Sequence, residues 1–135
     1  MPARYRDELV ASCEGQLVAT VSPDFKKCLA IYRFPEWEKI EEKLMSVPNV
    51  NGKVIQVQRM LLGNSHEVNM TAQGRILIPP SLREYAELQK QVTLVGVGKK
   101  FELWDAERWK QELEGWRQEV AAEGLPTEEL ASLQL

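Results

Sequence analysis

The sequence predicts an α+β protein built from two copies of one small β module, the first incomplete, with connecting helices and a C-terminal helix. Three observations carry that expectation. Short β-branched runs bounded by turn residues alternate with segments of helical period, the chain aligns with itself, and its charge is unevenly divided.

Residues 16–21, QLVATV, read as a strand, and Ser22-Pro23-Asp24 as the turn that follows. A second strand over 28–33 pairs with it as a hairpin. Pro35 suits a first helical position, and Trp37, Ile40 and Leu44 give one apolar face to a helix that runs to about Met45, before Pro48. Asn51 is expected to cap a second helix, antiparallel to the first, with Val54, Val57 and Leu61 as its buried stripe and Gly63 as its left-handed end. The texture then turns to short strands: 67–70, a turn Thr71-Ala72-Gln73-Gly74, and 75–78, read together as a hairpin. Pro79-Pro80 stop that strand and open a short helix over 81–88. Another hairpin joins 92–97 to 101–104 around Gly98-Lys99-Lys100. Asp105 caps a last long helix with Trp109, Leu113, Trp116 and Val120 on one face, closed by Gly124 and Pro126.

The self-alignment is what unites these elements. Met1-Pro2-Ala3-Arg4-Tyr5-Arg6-Asp7 matches Ile78-Pro79-Pro80-Ser81-Leu82-Arg83-Glu84, Lys27-Cys28-Leu29-Ala30-Ile31-Tyr32 matches Lys99-Lys100-Phe101-Glu102-Leu103-Trp104, and Trp37 falls on Trp109. The two matches differ by five residues in offset, which a longer loop near 13–15 in the first copy would absorb. The expected divisions are a first module over 1–36, a helical connection over 37–64, a second module over 65–108, and an acidic helix and tail over 109–135. One copy is too small to bury both faces of its sheet, so the two should pack as a single pseudo-twofold unit.

Composition narrows the function. No run approaches the roughly 18 to 20 apolar residues that span a bilayer, and the N-terminus MPARYRDELV carries charges where a secretory signal needs an apolar stretch. The expected compartment is the cytoplasm, with no membrane partner. Cys13 and Cys28 lack metal-ligand spacing and read as packing residues. His66 is the single histidine, and its neighbour Ser65 would point to the opposite face of a strand, so the two cannot exchange a proton. No nucleophile elbow, dinucleotide fingerprint, P-loop or zinc spacing occurs. The expectation is therefore no catalytic residues, no metal, no cofactor and no small-molecule substrate. Net charge is −3, yet residues 1–100 carry 14 Lys/Arg against 11 Asp/Glu, and residues 101–135 carry 3 against 9. An anionic partner should meet the first hundred residues and avoid the acidic end.

The turn over 71–75 is the best candidate for such a contact. Gly74 supplies positive φ, Thr71 can hold the turn through its hydroxyl, and Arg75 leaves it on a fixed base. A guanidinium so held can donate both its hydrogen bonds to guanine O6 and N7, and Gln73 can reach adenine or phosphate. The expected DNA-binding residues are thus Arg75, Gln73, Gly74 and Thr71.

Gln58-Arg59-Met60-Leu61-Leu62-Gly63, the run from Met70-Thr71-Ala72-Gln73-Gly74-Arg75 through Ile76-Leu77-Ile78-Pro79, Val95-Gly96 and Phe101-Glu102-Leu103-Trp104 closely resemble the bacterial MraZ family. Pro2-Ala3-Arg4-Tyr5-Arg6 and Pro35-Glu36-Trp37 resemble that family's other half. The resemblance implies two SpoVT/AbrB-like swapped-hairpin modules, sequence-specific binding of double-stranded promoter repeats near the division and cell-wall gene cluster, nucleoid association and assembly into homo-oligomeric rings. It also implies two Gly-Arg loops per chain. Here the second loop opens on Thr71 in place of the family's aspartate, and the place of the first falls before Met1. Either the start is assigned at an internal methionine, in which case codons upstream of Met1 encode a turn ending in Gly-Arg, or the gene is shortened. Trp37, Trp109 and Trp116 are expected to need a partner surface, which again points to an oligomer. The rival reading is an AbrB-like assembly module that has lost DNA binding.

Overall fold

A strand buried at successive positions requires cover on both faces of a sheet, and that is what residues 17 to 21 receive. The computed structural model describes residues 16–48, 52–71, 73–124 and 127–133. Its elements are β1 (Gln16–Val21), β2 (Leu29–Arg33), α1 (Phe34–Ser46), α2 (Lys53–Gly63), β3 (His66–Asn69), α3 (Pro80–Tyr85), β4 (Val92–Val97), β5 (Lys100–Asp105), α4 (Ala106–Glu123) and α5 (Glu128–Ala131). The strands form one antiparallel sheet in the order β3-β1-β2-β5-β4. Leu17, Ala19, Val21, Leu29, Ile31, Phe101 and Leu103 face a core closed by Leu82 of α3 and Ala86 at its end. Val18, Ala30 and Tyr32 face the other way, onto Trp37 of α1.

The register of the central pair discloses the symmetry of the repeat. Ala30, which the sequence aligns with Glu102, lies directly opposite Glu102, while Leu29 faces Leu103 and Ile31 faces Phe101. A pseudo-twofold axis therefore passes between Ala30 and Glu102. On either side of it the N-cap residues Arg33 and Asp105 start α1 and α4, so Trp37 and Trp109 enter at matching positions. Asp105 accepts from the Arg108 backbone N–H at 3.3 Å and from that of Gln89 at 3.1 Å, capping α4 and tying the segment after α3 to the sheet.

Several expectations need correction. Val21 faces Leu29 and Gly96 faces Phe101, so the seven residues 22–28 correspond to the four residues 97–100. Three of the five extra residues of the first copy thus sit in the β1–β2 turn, not near 13–15, which lies outside the described residues. Gly63 is the last residue of α2 without positive φ, and Asn64 ends that helix with φ −103°. Gly52, with φ 78°, precedes α2, and Asn51 lies outside the described residues. Trp37 is 4% exposed, and Trp104 is buried with the half-buried Trp109 and Trp116 packed against it, ring centroids 5.7–6.0 Å apart, Trp116 meeting both others edge to face. Of the three tryptophans expected to need a partner surface, Trp37 is covered within the chain, while Trp109 and Trp116 are partly exposed.

Two buried groups in and beside β1 and β2 report on the integrity of the sheet. Thr20, fully buried, donates its hydroxyl to the Leu61 carbonyl of α2 at 2.6 Å. Thr20→Val keeps the shape and removes the donor, and should lower unfolding free energy by about 1–2 kcal/mol in urea titration. Burial pushes the Cys28 thiol up to about 11. At neutral pH it stays protonated, so alkylation of the Cys28 peptide, followed by mass spectrometry, should track global unfolding and be negligible in the native protein.

Candidate nucleic-acid interface

The 71–75 turn is closed by three hydrogen bonds, and each involves Thr71. Its N–H donates to the Arg75 carbonyl at 2.9 Å, its carbonyl accepts from the Gly74 N–H at 2.9 Å, and its hydroxyl accepts from the Arg75 N–H at 3.1 Å. The hydroxyl thus performs the holding that the sequence assigned to it. Gly74 takes φ +82° and is buried beneath the turn, a conformation that a Cβ would strain. Thr71, Gln73 and Arg75 are exposed around it, so all four sequence-predicted residues come together at one tip.

The arms leaving the turn do not pair as a hairpin. β3 is captured by β1, with Leu17 opposite Val68 and Ala19 opposite His66. Residues 75–79 join no ladder. Ile76 and Ile78 instead turn into the core, and Pro79 and Pro80, lacking N–H groups, cannot extend a ladder at that end. His66 is exposed on β3, as expected of a solvated strand residue.

A groove of about 850 Å³ runs beside the turn, lined by Asn69, Thr71, Arg75, Arg83 and Gln89 among polar residues and by Ile76, Ile78 and Leu94 among apolar ones. Arg83 was not singled out in the sequence. α3 begins at Pro80 and is held down by Leu82, 1% exposed, and by Tyr85, whose hydroxyl donates to the Lys26 carbonyl at 3.2 Å while Lys27 lies 5.3 Å from its ring centroid. With Leu82 and Ala86 buried four residues apart, position 83 falls on the outer side. That spacing was the available signal. Arg75 and Arg83 form no ion pair among the described residues. No grouping of metal-ligating side chains and no helix long and apolar enough to cross a membrane occurs among the described residues.

A single sheet woven from two related hairpins, with an arginine displayed on a glycine-closed turn, defines an α+β protein with internal pseudo-twofold symmetry. Residues 61–124 match the family described as "MraZ protein, putative antitoxin-like". Over its whole length the chain is 50% identical to the Transcriptional regulator MraZ of Thioalkalivibrio sulfidiphilus, covering 89% of that protein. It is 42% identical over 99% of its length to the protein of the same name from Alkalilimnicola ehrlichii, and 46% identical over its whole length to that from Coxiella burnetii, covering 88% and 89% of them. The chain belongs to the MraZ family.

Replacing Gly74 by Ala should test the turn itself. An L side chain held at positive φ costs about 1–2 kcal/mol, so Gly74→Ala should melt earlier and speed amide exchange at Thr71, Gly74 and Arg75. Unchanged exchange there would show that the turn does not depend on glycine.

Proposed function

We propose that this protein is a transcriptional regulator that binds double-stranded DNA sequence-specifically, reading bases with Arg75 and gripping phosphate with Arg83. The observation that carries the reading is the exposed Arg75 on a turn whose backbone Thr71 and Gly74 fix, because a pre-set guanidinium reaches guanine without ordering a loop. Gln73 extends the same tip toward bases or phosphate. The relatives' shared name, Transcriptional regulator MraZ, supports the same assignment. Arg83 lines the same groove as Arg75 and serves as a positioning contact that carries no base preference of its own.

The chain works as two modules, 1–36 and 65–108, with 37–64 as connection and 109–135 as an acidic helix and tail kept away from the duplex. It acts in the cytoplasm at the nucleoid, as a homo-oligomeric ring that sets several turns along promoter repeats and multiplies a weak single contact. Met45, 64% exposed, and Val47, 47% exposed, are apolar surface at the end of α1 that suits subunit packing. Light scattering showing only monomer at micromolar concentration would remove the ring.

The direct test compares two arginines. Arg75→Ala should lose about 1–3 kcal/mol on promoter repeats and lose preference over random duplex in matched salt. Arg83→Ala should weaken both duplexes alike and reduce the salt slope by about one unit, because one phosphate contact releases fewer counterions. Parental protein that binds neither duplex would overturn the reading as a whole.

A further inference from the structure

We infer that Lys27 and Lys99 are a twofold-related pair of phosphate contacts, which hold the duplex against the face of the sheet that carries Arg75 and Arg83; this rests on the DNA-binding reading above. The register across the local axis makes the two lysines equivalent. Ala30 lies opposite Glu102, and Lys27 and Lys99 precede them by the same three residues on antiparallel strands. They therefore occupy opposite ends of the sheet. At a rise of ~3.3 Å per residue they stand ~20 Å apart, inside one duplex turn of ~34 Å, so a single site can meet both.

Both lysines leave tight turns that reverse on a left-handed residue, Phe25 with φ 59° in one and Gly98 with φ 63° in the other. A phenylalanine takes that conformation only where its surroundings impose it. Here the Phe25 N–H donates to the Ser22 carbonyl at 2.9 Å and the Cys28 N–H to the Lys26 carbonyl at 2.8 Å. Asp24 is engaged by the Ser22 hydroxyl and by the Lys26 N–H at 3.3 Å. Tyr85 of α3 binds the Lys26 carbonyl from outside the turn, and its ring lies 5.3 Å from the Lys27 ammonium. Lys27 is thus exposed yet already positioned, and an incoming phosphate has little side-chain freedom left to freeze.

The sheet also separates charge by sides. α3 covers the face of Leu29, Ile31, Phe101 and Leu103, so the contact with Tyr85 places Lys27 on that side, and alternation from Phe101 places the exposed Lys99 there too. On the same side, the segment from Arg75 to Tyr85 carries two arginines against one glutamate. The opposite face is covered by α1, through Trp37 on Ala30 and Tyr32, and by α4, through Trp109 and Trp116 on Trp104. α1 has four glutamates against two lysines, and α4 five glutamates against three basic residues. Lys100 alternates to that acidic face and pairs with Glu102 at 3.9 Å. A polyanion is drawn to the first face and repelled from the second.

The test uses the full chain on promoter repeats, with binding followed across a salt series and phosphates mapped by ethylation interference. Lys27→Gln and Lys99→Gln should each lower the salt slope by about one unit per bound subunit, and the double variant by about two. The ratio of promoter to random-duplex affinity should stay at the parental value, because phosphate contacts carry no base preference. Interference should vanish on one flank of each repeat in Lys27→Gln and on the other flank in Lys99→Gln. Lys110→Gln removes the same charge from an exposed position of α4 and should leave slope and pattern as in the parent. Parental slopes in both turn variants, loss of the same phosphates in both, or an equal drop in Lys110→Gln would each overturn the inference. If Arg75→Ala still loses base preference, those outcomes leave the DNA-binding reading standing, whereas a parent that binds no duplex removes both.

Discussion

Everything in this fold hangs on the antiparallel contact of β2 with β5. It joins the two halves of the sheet, places Ala30 against Glu102 on the local axis, and fixes where α1 and α4 leave the sheet. Because side chains alternate with period two, this one register also decides which residues of both hairpins face the shared core. A slip by one residue would carry Leu29, Ile31, Phe101 and Leu103 out of that core together. The strength of the contact is thus collective: no single side chain specifies it, but four apolar ones agree on it.

Much of this was legible because it is local. The β1 and β2 strands, the Asp105 cap, the proline-opened α3 and the Gly98–Lys99 turn each announce themselves within a few residues, and the repeat predicted the pseudo-twofold. What the sequence hid was choice among distant partners. His66–Asn69 has the composition of a strand, yet nothing in it says that β1, not residues 75–78, will take it; that was decided by a sheet edge fifty residues upstream and by the inward turn of Ile76 and Ile78. The packing around the last long helix was hidden for a related reason. Helical spacing shows that Trp109 and Trp116 share a face, but only the fold brings Trp104 from β5 beneath them.

The candidate site shows the same division. Thr71, Gln73, Gly74 and Arg75 are neighbours in sequence and meet at one tip, because a tight turn is a local object. Arg83 joins their groove only through the docking of α3 on the β1–β2 turn, by way of Tyr85 and Leu82, and no motif spacing encodes that approach. The Thr71 hydroxyl holds the head of the turn without placing a negative charge beside Arg75. A guanidinium so placed has less local competition for its hydrogen bonds when an anion arrives.

The exchange of β3 onto β1 also governs the order in which this protein can come into being. The first hairpin emerges from the ribosome early, but one edge of β1 stays open until residues 66–69 have followed, and the free edge of β2 waits for 100–103. Neither half completes its sheet as a separate unit. The nascent chain must carry two unsatisfied strand edges until residues 66–69 are made and one until residues 100–103 follow, and closure comes by long-range pairing of slow-forming contacts.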